Sequence, residues 1–176
     1  MANWQTPEQI PPSKRPPDEL WRRLTENGSL TNHLRQQYGN SIGVRLLRET
    51  TITNNADQTL PPAMPPQQNL FCREVIIHHD TTPLVFARTL VQLSALENKQ
   101  HWLLQQGENP LGDTLFSQDE TQRRNLEVKH LTTKDALYKD AAKQVTDNYR
   151  PSWARRSVIY SNGLALLIVE CFYEQL

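Results

Sequence analysis

Three charged side chains stand on strand faces that are otherwise apolar. Counting by twos, Arg73 shares a face with Phe71, Val75 and Ile77, and Arg88 with Leu84, Phe86 and Leu90. Glu170 shares one with Leu164, Leu166, Ile168 and Phe172. An unpaired charge on such a face is costly, so each must be paired, hydrogen-bonded or offered to a ligand. Two readings are open. One is a buried Arg–Glu ion pair that closes the core. The other is an anion pocket with a carboxyl group in it. Two cations against one anion favour the pocket, because the pair alone leaves a surplus positive charge. Arg48 also falls on an apolar face, but near a strand end, where a solvated or rim-paired arginine is the simpler expectation.

Other chemistries find little support. His78 and His79 are adjacent in a strand and point to opposite faces, so they do not chelate one ion readily. His33, His101 and His130 are scattered over amphipathic elements. No glycine-rich phosphate loop, nucleophile motif or CxxC pair is present. Cys72 and Cys171 lie inside strands without metal-type spacing, and are expected as buried thiols in a reducing compartment. Lysine plus arginine and aspartate plus glutamate number 19 each, so the chain lacks the positive field of a nucleic-acid binder. The Arg123–Arg124 and Arg155–Arg156 dyads come without an aromatic ladder and do not change that expectation. The longest apolar run, Leu164 to Val169, is too short to span a bilayer, and no signal peptide is visible. A cytoplasmic monomer is expected.

The elements that must position these residues follow from period and punctuation. A length of 176 residues suits one domain. Five prolines between Pro7 and Pro17 mark residues 1–17 as a disordered extension, ahead of a domain over 18–176. Asp18 and Ser29 are N-cap candidates for two short helices that form a hairpin ending at Gly39. Alternation then predicts strands over 42–52, 70–78, 84–93, 123–131, 155–160 and 164–173. Residues 54–69 read as one long surface loop. A helix from Ser94 or Asn98 stops at Gly107, Pro110–Gly112 is a tight turn, and a modest helix covers Asp135 to Val145. Ser161–Asn162–Gly163 is the strongest hairpin signal. About six strands linked by hairpins and short helices predict an α+β domain, a single antiparallel sheet with helices on one side.

The run REVIIHHDTTPLVFARTLVQLSAL, from Arg73 to Leu96, resembles the chorismate pyruvate-lyase family. So, in the same order, do NPLGDTLF from Asn109 and WARRSVIYSNGLALLIVECF from Trp153. Upstream, GSLTNHLRQQYG and VRLLRE are similar to the family's helix and first strand. Each motif alone is weak; four in order are specific. The chain departs from the compact pattern in its proline-rich start, in a helical insertion over 132–151, and in Leu30, where the family usually has Met.

The resemblance implies cleavage of chorismate to 4-hydroxybenzoate and pyruvate, without metal or cofactor, early in ubiquinone or plastoquinone biosynthesis. It implies helical flaps closing over a buried ligand. It also implies a carboxylate held by Arg73 and the backbone N–H groups of Leu30 and Leu111, with Glu170 meeting the phenol. Chorismate carries two carboxylates, and Arg88 is the cation assigned to the second, or to the pyruvate exit route. Glu170 either donates a proton toward the leaving ether or orients the substrate for loss of the C4 proton. The competing expectation is a non-catalytic small-ligand sensing domain of the same fold. Such domains follow a winged helix, for which 17 residues are too few.

Overall fold

The computed structural model describes residues 3–53, 69–99, 101–117 and 120–176. The loop expected over 54–69 lies almost wholly outside the described residues. Six strands form one antiparallel sheet in the order β1-β2-β3-β6-β5-β4. They are β1 (Ile42–Thr53), β2 (Asn69–His79), β3 (Thr82–Gln92), β4 (Gln122–His130), β5 (Tyr149–Ser161) and β6 (Leu164–Gln175). Strand β5 begins six residues earlier than alternation suggests, because Pro151 is tolerated beside a register shift between Pro151 and Trp153. Asn162 and Gly163 both have positive φ, as a two-residue hairpin between right-twisted strands requires.

Both faces of the central strands are covered. On the first face lie α1 (Asp18–Thr25), α2 (Leu30–Tyr38), α3 (Leu93–Lys99) and α4 (Leu111–Phe116). Leu24, Leu30 and Leu34 pack there on Val44, Val75, Ile77 and Val85; Leu96, Leu111 and Leu115 pack on Phe71, Val91, Leu166 and Ile168. Ser29 caps α2 by accepting from the Asn32 N–H at 3.2 Å, and Gly39 ends it with φ of 73°. The fifth helix, α5 (Ala136–Ala142), departs from the one-sided arrangement. Its Leu137 and Ala141 bury against Leu70, Ile76, Phe86 and Val169 on the reverse face. The buried thiols Cys72 and Cys171 lie there too. Burial raises the Cys171 thiol far above its ordinary range.

The proline-rich lead-in, expected to be disordered, is a strap along the sheet edge. Gln5 exchanges two backbone hydrogen bonds with Val128 of β4, at 3.1 and 2.7 Å. The Trp4 ring lies 4.7 Å from the Arg156 guanidinium, and Ile10 is buried beside Leu24 and Val128. Proline-rich turns need few backbone donors, so this segment can lie along an edge strand while pairing with it at Gln5.

Candidate functional site

Strand register decides which charges meet. Arg73 pairs across to Thr89, and Thr89 to Ile168; Val75 pairs to Ala87, and Ala87 to Glu170. Arg73 and Glu170 therefore lie on one face, two strands and two residues apart. Between them is a cleft floored by Val75, Ala87, Thr89 and Ile168. Leu30 and Leu111 close it from above, each the first residue of its helix, α2 or α4. The two helix starts nearly touch: a Cβ on Gly112 would sit 2.6 Å from the Ser29 hydroxyl. Glycine at that position lets both N-termini, with their outward N–H groups, share one end of the cleft. Arg35 fastens α2 to α4 through Asp113 at 2.5 Å.

Arg73 is 2% exposed. Its Nη2 donates to the carbonyls of Gly107 at 2.7 Å and Asn109 at 3.2 Å, which aims the guanidinium beside the α4 start. Its Nε has no hydrogen-bond partner among the described residues and lies 3.4 Å from the Glu49 carboxylate. Burial pushes the Arg73 pKa down, and Glu49 offsets part of that.

At the other end, Glu170 is held by an arginine that sequence analysis set aside. Arg155 pairs directly opposite Glu170 across β5 and β6 and grips both carboxylate oxygens, Nε to Oε2 and Nη2 to Oε1. Its Nη1 also donates to the carbonyls of Arg23 and Glu26, each at 2.8 Å, at the end of α1. Arg123 adds a second cation, its Nη1 3.9 Å from Glu170 Oε2. Burial alone would raise the Glu170 pKa, but Arg155 and Arg123 outweigh it and hold the carboxyl below its ordinary range. Glu170 is therefore a carboxylate at neutral pH, able to accept hydrogen bonds and not to donate one.

Four of the five expected site residues come together here: Arg73, Leu30, Leu111 and Glu170 all line the cleft. Arg88 does not. It pairs across to Glu74, the neighbour of Arg73, and so faces the reverse side. There it donates to Glu74 at 2.7 Å and to Asp140 of α5 at 2.8 Å, while Arg48 grips the same Glu74. The assignment of Arg88 to a second substrate carboxylate is thereby corrected. β3 is apolar on both sides, so its own composition cannot say which side is the cleft. Arg123 and Arg155 were missed because the dyads that contain them were weighed only as a nucleic-acid signal. The available signal was the β5–β6 hairpin: counting back from Asn162–Gly163 sets Arg155 opposite Glu170.

A buried cleft with cations at both ends, roofed by two helix starts, defines a small-ligand α+β domain for an organic anion. The chain belongs to the chorismate lyase family, whose profile matches residues 1–176. It is 39% identical over 177 aligned residues to the "Probable chorismate pyruvate-lyase" of Pasteurella multocida, covering 97% of this chain and 88% of that protein. It is 31% identical over 169 residues to the protein of the same name from Shewanella loihica, covering 96% and 86%. Among solved structures, PhnF from Mycobacterium smegmatis superposes with a TM-score of 0.54 at 16% identity, covering 84% of this chain and 64% of that one. The effector domain of PhnF gives 0.52, also at 16%, covering 82% and 88%. That likeness is one of fold alone.

Proposed function

We propose that this chain is a chorismate pyruvate-lyase, releasing 4-hydroxybenzoate and pyruvate as a monomer in the cytoplasm. The observation that carries the reading is the polarity of the cleft. A cation with two helix starts lies at one end and an ionised carboxylate at the other, with an apolar floor between. A para-substituted ring with a carboxylate and a hydroxyl complements that arrangement. The ring carboxylate takes the Arg73 guanidinium and the N–H groups of Leu30 and Leu111. The C4 hydroxyl donates to Glu170. Because Glu170 is ionised, it suits loss of the C4 proton and not protonation of the ether. The C4–H pair becomes ring π density as the C3–O bond breaks, and the departing enolpyruvate takes up a proton to become pyruvate. Aromatisation drives the step, so the protein has chiefly to orient the substrate and exclude water. No helix is long and apolar enough to cross a membrane among the described residues.

Purified protein incubated with chorismate, without added metal or nucleotide, should yield equal amounts of 4-hydroxybenzoate by ultraviolet absorbance and pyruvate by a coupled assay. Tight binding of 4-hydroxybenzoate with no turnover of chorismate would favour a sensing domain instead.

A further inference from the structure

Arg123 has a side chain only 3% exposed, yet no carboxylate lies within hydrogen-bond distance of it among the described residues. Its donors go to neutral oxygens: Nε to the Asn27 carbonyl at 3.2 Å, Nη2 to the Gly28 carbonyl at 3.2 Å, and Nη1 to the Ser157 hydroxyl. Its approach to Glu170 at 3.9 Å is to an anion that Arg155 already grips at both oxygens. Burial and the neighbouring Arg155 push its pKa down to about 10, against the pull of Glu170 and Glu26, and it remains a cation at neutral pH. A buried cation served by neutral acceptors at the wall of a cleft is poised for an anion that enters the cleft.

We propose that Arg123 binds the second carboxylate of chorismate, the one on the enolpyruvyl ether, and so holds the leaving group beside Glu170. This rests on the lyase reading above. On the substrate ring the ether at C3 adjoins the hydroxyl at C4. Once that hydroxyl faces Glu170, the ether carboxylate must fall at the same end of the cleft. Arg73 is at the opposite end. Arg88 is behind the sheet. Arg155 is engaged with Glu170 and the carbonyls of Arg23 and Glu26. Arg123 lines the cleft and stands over Phe116, 5.6 Å from the ring centroid, so its planar fork is oriented as well as charged. As the C3–O bond breaks, its electron pair passes to the enolpyruvate oxygen, and a cation on the attached carboxylate stabilises the departing anion. The product ring keeps one carboxylate, the one at Arg73, and makes no such demand on Arg123.

The assignment is tested by comparing a monoanion with a dianion. The probes are 4-hydroxybenzoate and 3-(1-carboxyvinyloxy)benzoate, which carries both carboxylates on an unreactive aromatic ring. By calorimetry, Arg123→Ala should lose about 30-fold or more for the dianion and at least about tenfold less than that for 4-hydroxybenzoate, whose smaller loss reports only the slackened Asn27–Gly28 turn. The KM for chorismate should rise in step with the first loss. Arg123→Lys should fall between, because an ammonium cannot reproduce the fork, and it decides the matter if Arg123→Ala does not fold. Equal losses for both probes, or no loss for the dianion, would overturn the assignment. Wild-type turnover of chorismate together with an unselective variant would sink the role of Arg123 alone and leave the lyase reading standing.

Discussion

The two faces of the sheet both bury arginines against carboxylates, and they do so with different bookkeeping. Behind the sheet, buried Arg88 and Glu74 are joined by the half-exposed Arg48 and Asp140, two charges of each sign bonded at 2.6 to 3.1 Å where β1, β2, β3 and α5 meet. In front, Arg73, Arg123 and Glu170 line the cleft, Arg155 grips Glu170 from beside it, and the partly exposed Glu49 reaches Arg73, so that three cations meet two carboxylates among these described residues. Burial of charge therefore does not by itself mark a site. A closed, balanced network fixes strands and a helix to one another. A cation surplus beside a cleft and two helix starts prepares a place for an anion.

If that contrast holds, removing charge from the two faces should have separable consequences. The largest belongs to the rear. Arg88→Ala leaves Glu74 and Asp140 short of a cation and should destabilise the fold by about 3–5 kcal/mol in denaturant unfolding. The folded fraction should still bind 4-hydroxybenzoate with near wild-type affinity. A selective loss of ligand affinity without a loss of stability would place Arg88 in the binding machinery after all.

In front, Arg73→Ala should cost about 2–5 kcal/mol of product binding, or roughly 30-fold to several thousand-fold, with Arg73→Lys recovering only part. Unchanged affinity by calorimetry would remove the carboxylate from that end of the cleft. Glu170→Gln keeps size and a hydrogen bond but cannot accept a proton. Its single-turnover rate should fall by about 10²-fold or more while most product affinity is retained. A wild-type single-turnover rate would reduce Glu170 to an orienting group.

The smallest effect is one of pH. The folded-state pKa of Glu170 lies below its unfolded value, so its ionised contribution is fully present above the ordinary carboxylate range. It is lost only as the pH falls through the lowered value. The rate of the chemical step should stay level from neutrality down to about pH 5 and decline in more acid solution. An acid limb centred near pH 6 would mean that burial outweighs the two arginines.

The helical roof belongs to the same comparison. The α1–α2 turn is tied to the front face by the carbonyls of Arg23, Glu26, Asn27 and Gly28, each accepting from Arg155 or Arg123. The arginines that flank Glu170 are thus also the anchors of the roof over the cleft.

Much of this was determined by sequence alone. Alternation located the strands, Ser29 and Gly39 bounded α2, and Asn162–Gly163 set the last hairpin. One charge per apolar face drew attention to Arg73 and Glu170, and the resemblance added the helix starts at Leu30 and Leu111. What period could not supply was parity between strands. β3 is buried on both sides, so only its pairing with β2 tells that Ala87 and Thr89 face the cleft and Arg88 does not. In β1, the shift between Leu46 and Arg48 turns Glu49 toward Arg73 and Arg48 toward Glu74. In β4, the shift between Arg124 and Glu127, with Asn125 at φ of 53°, lets Arg123 and Val128 share a face although they are five positions apart, an interval that would set them on opposite faces of a regular strand. A bulge adds one residue and reverses everything counted beyond it. The choice of which arginine meets a ligand and which closes a core was therefore made by tertiary pairing, because hydrophobic period measures burial and not the side on which a cleft will open.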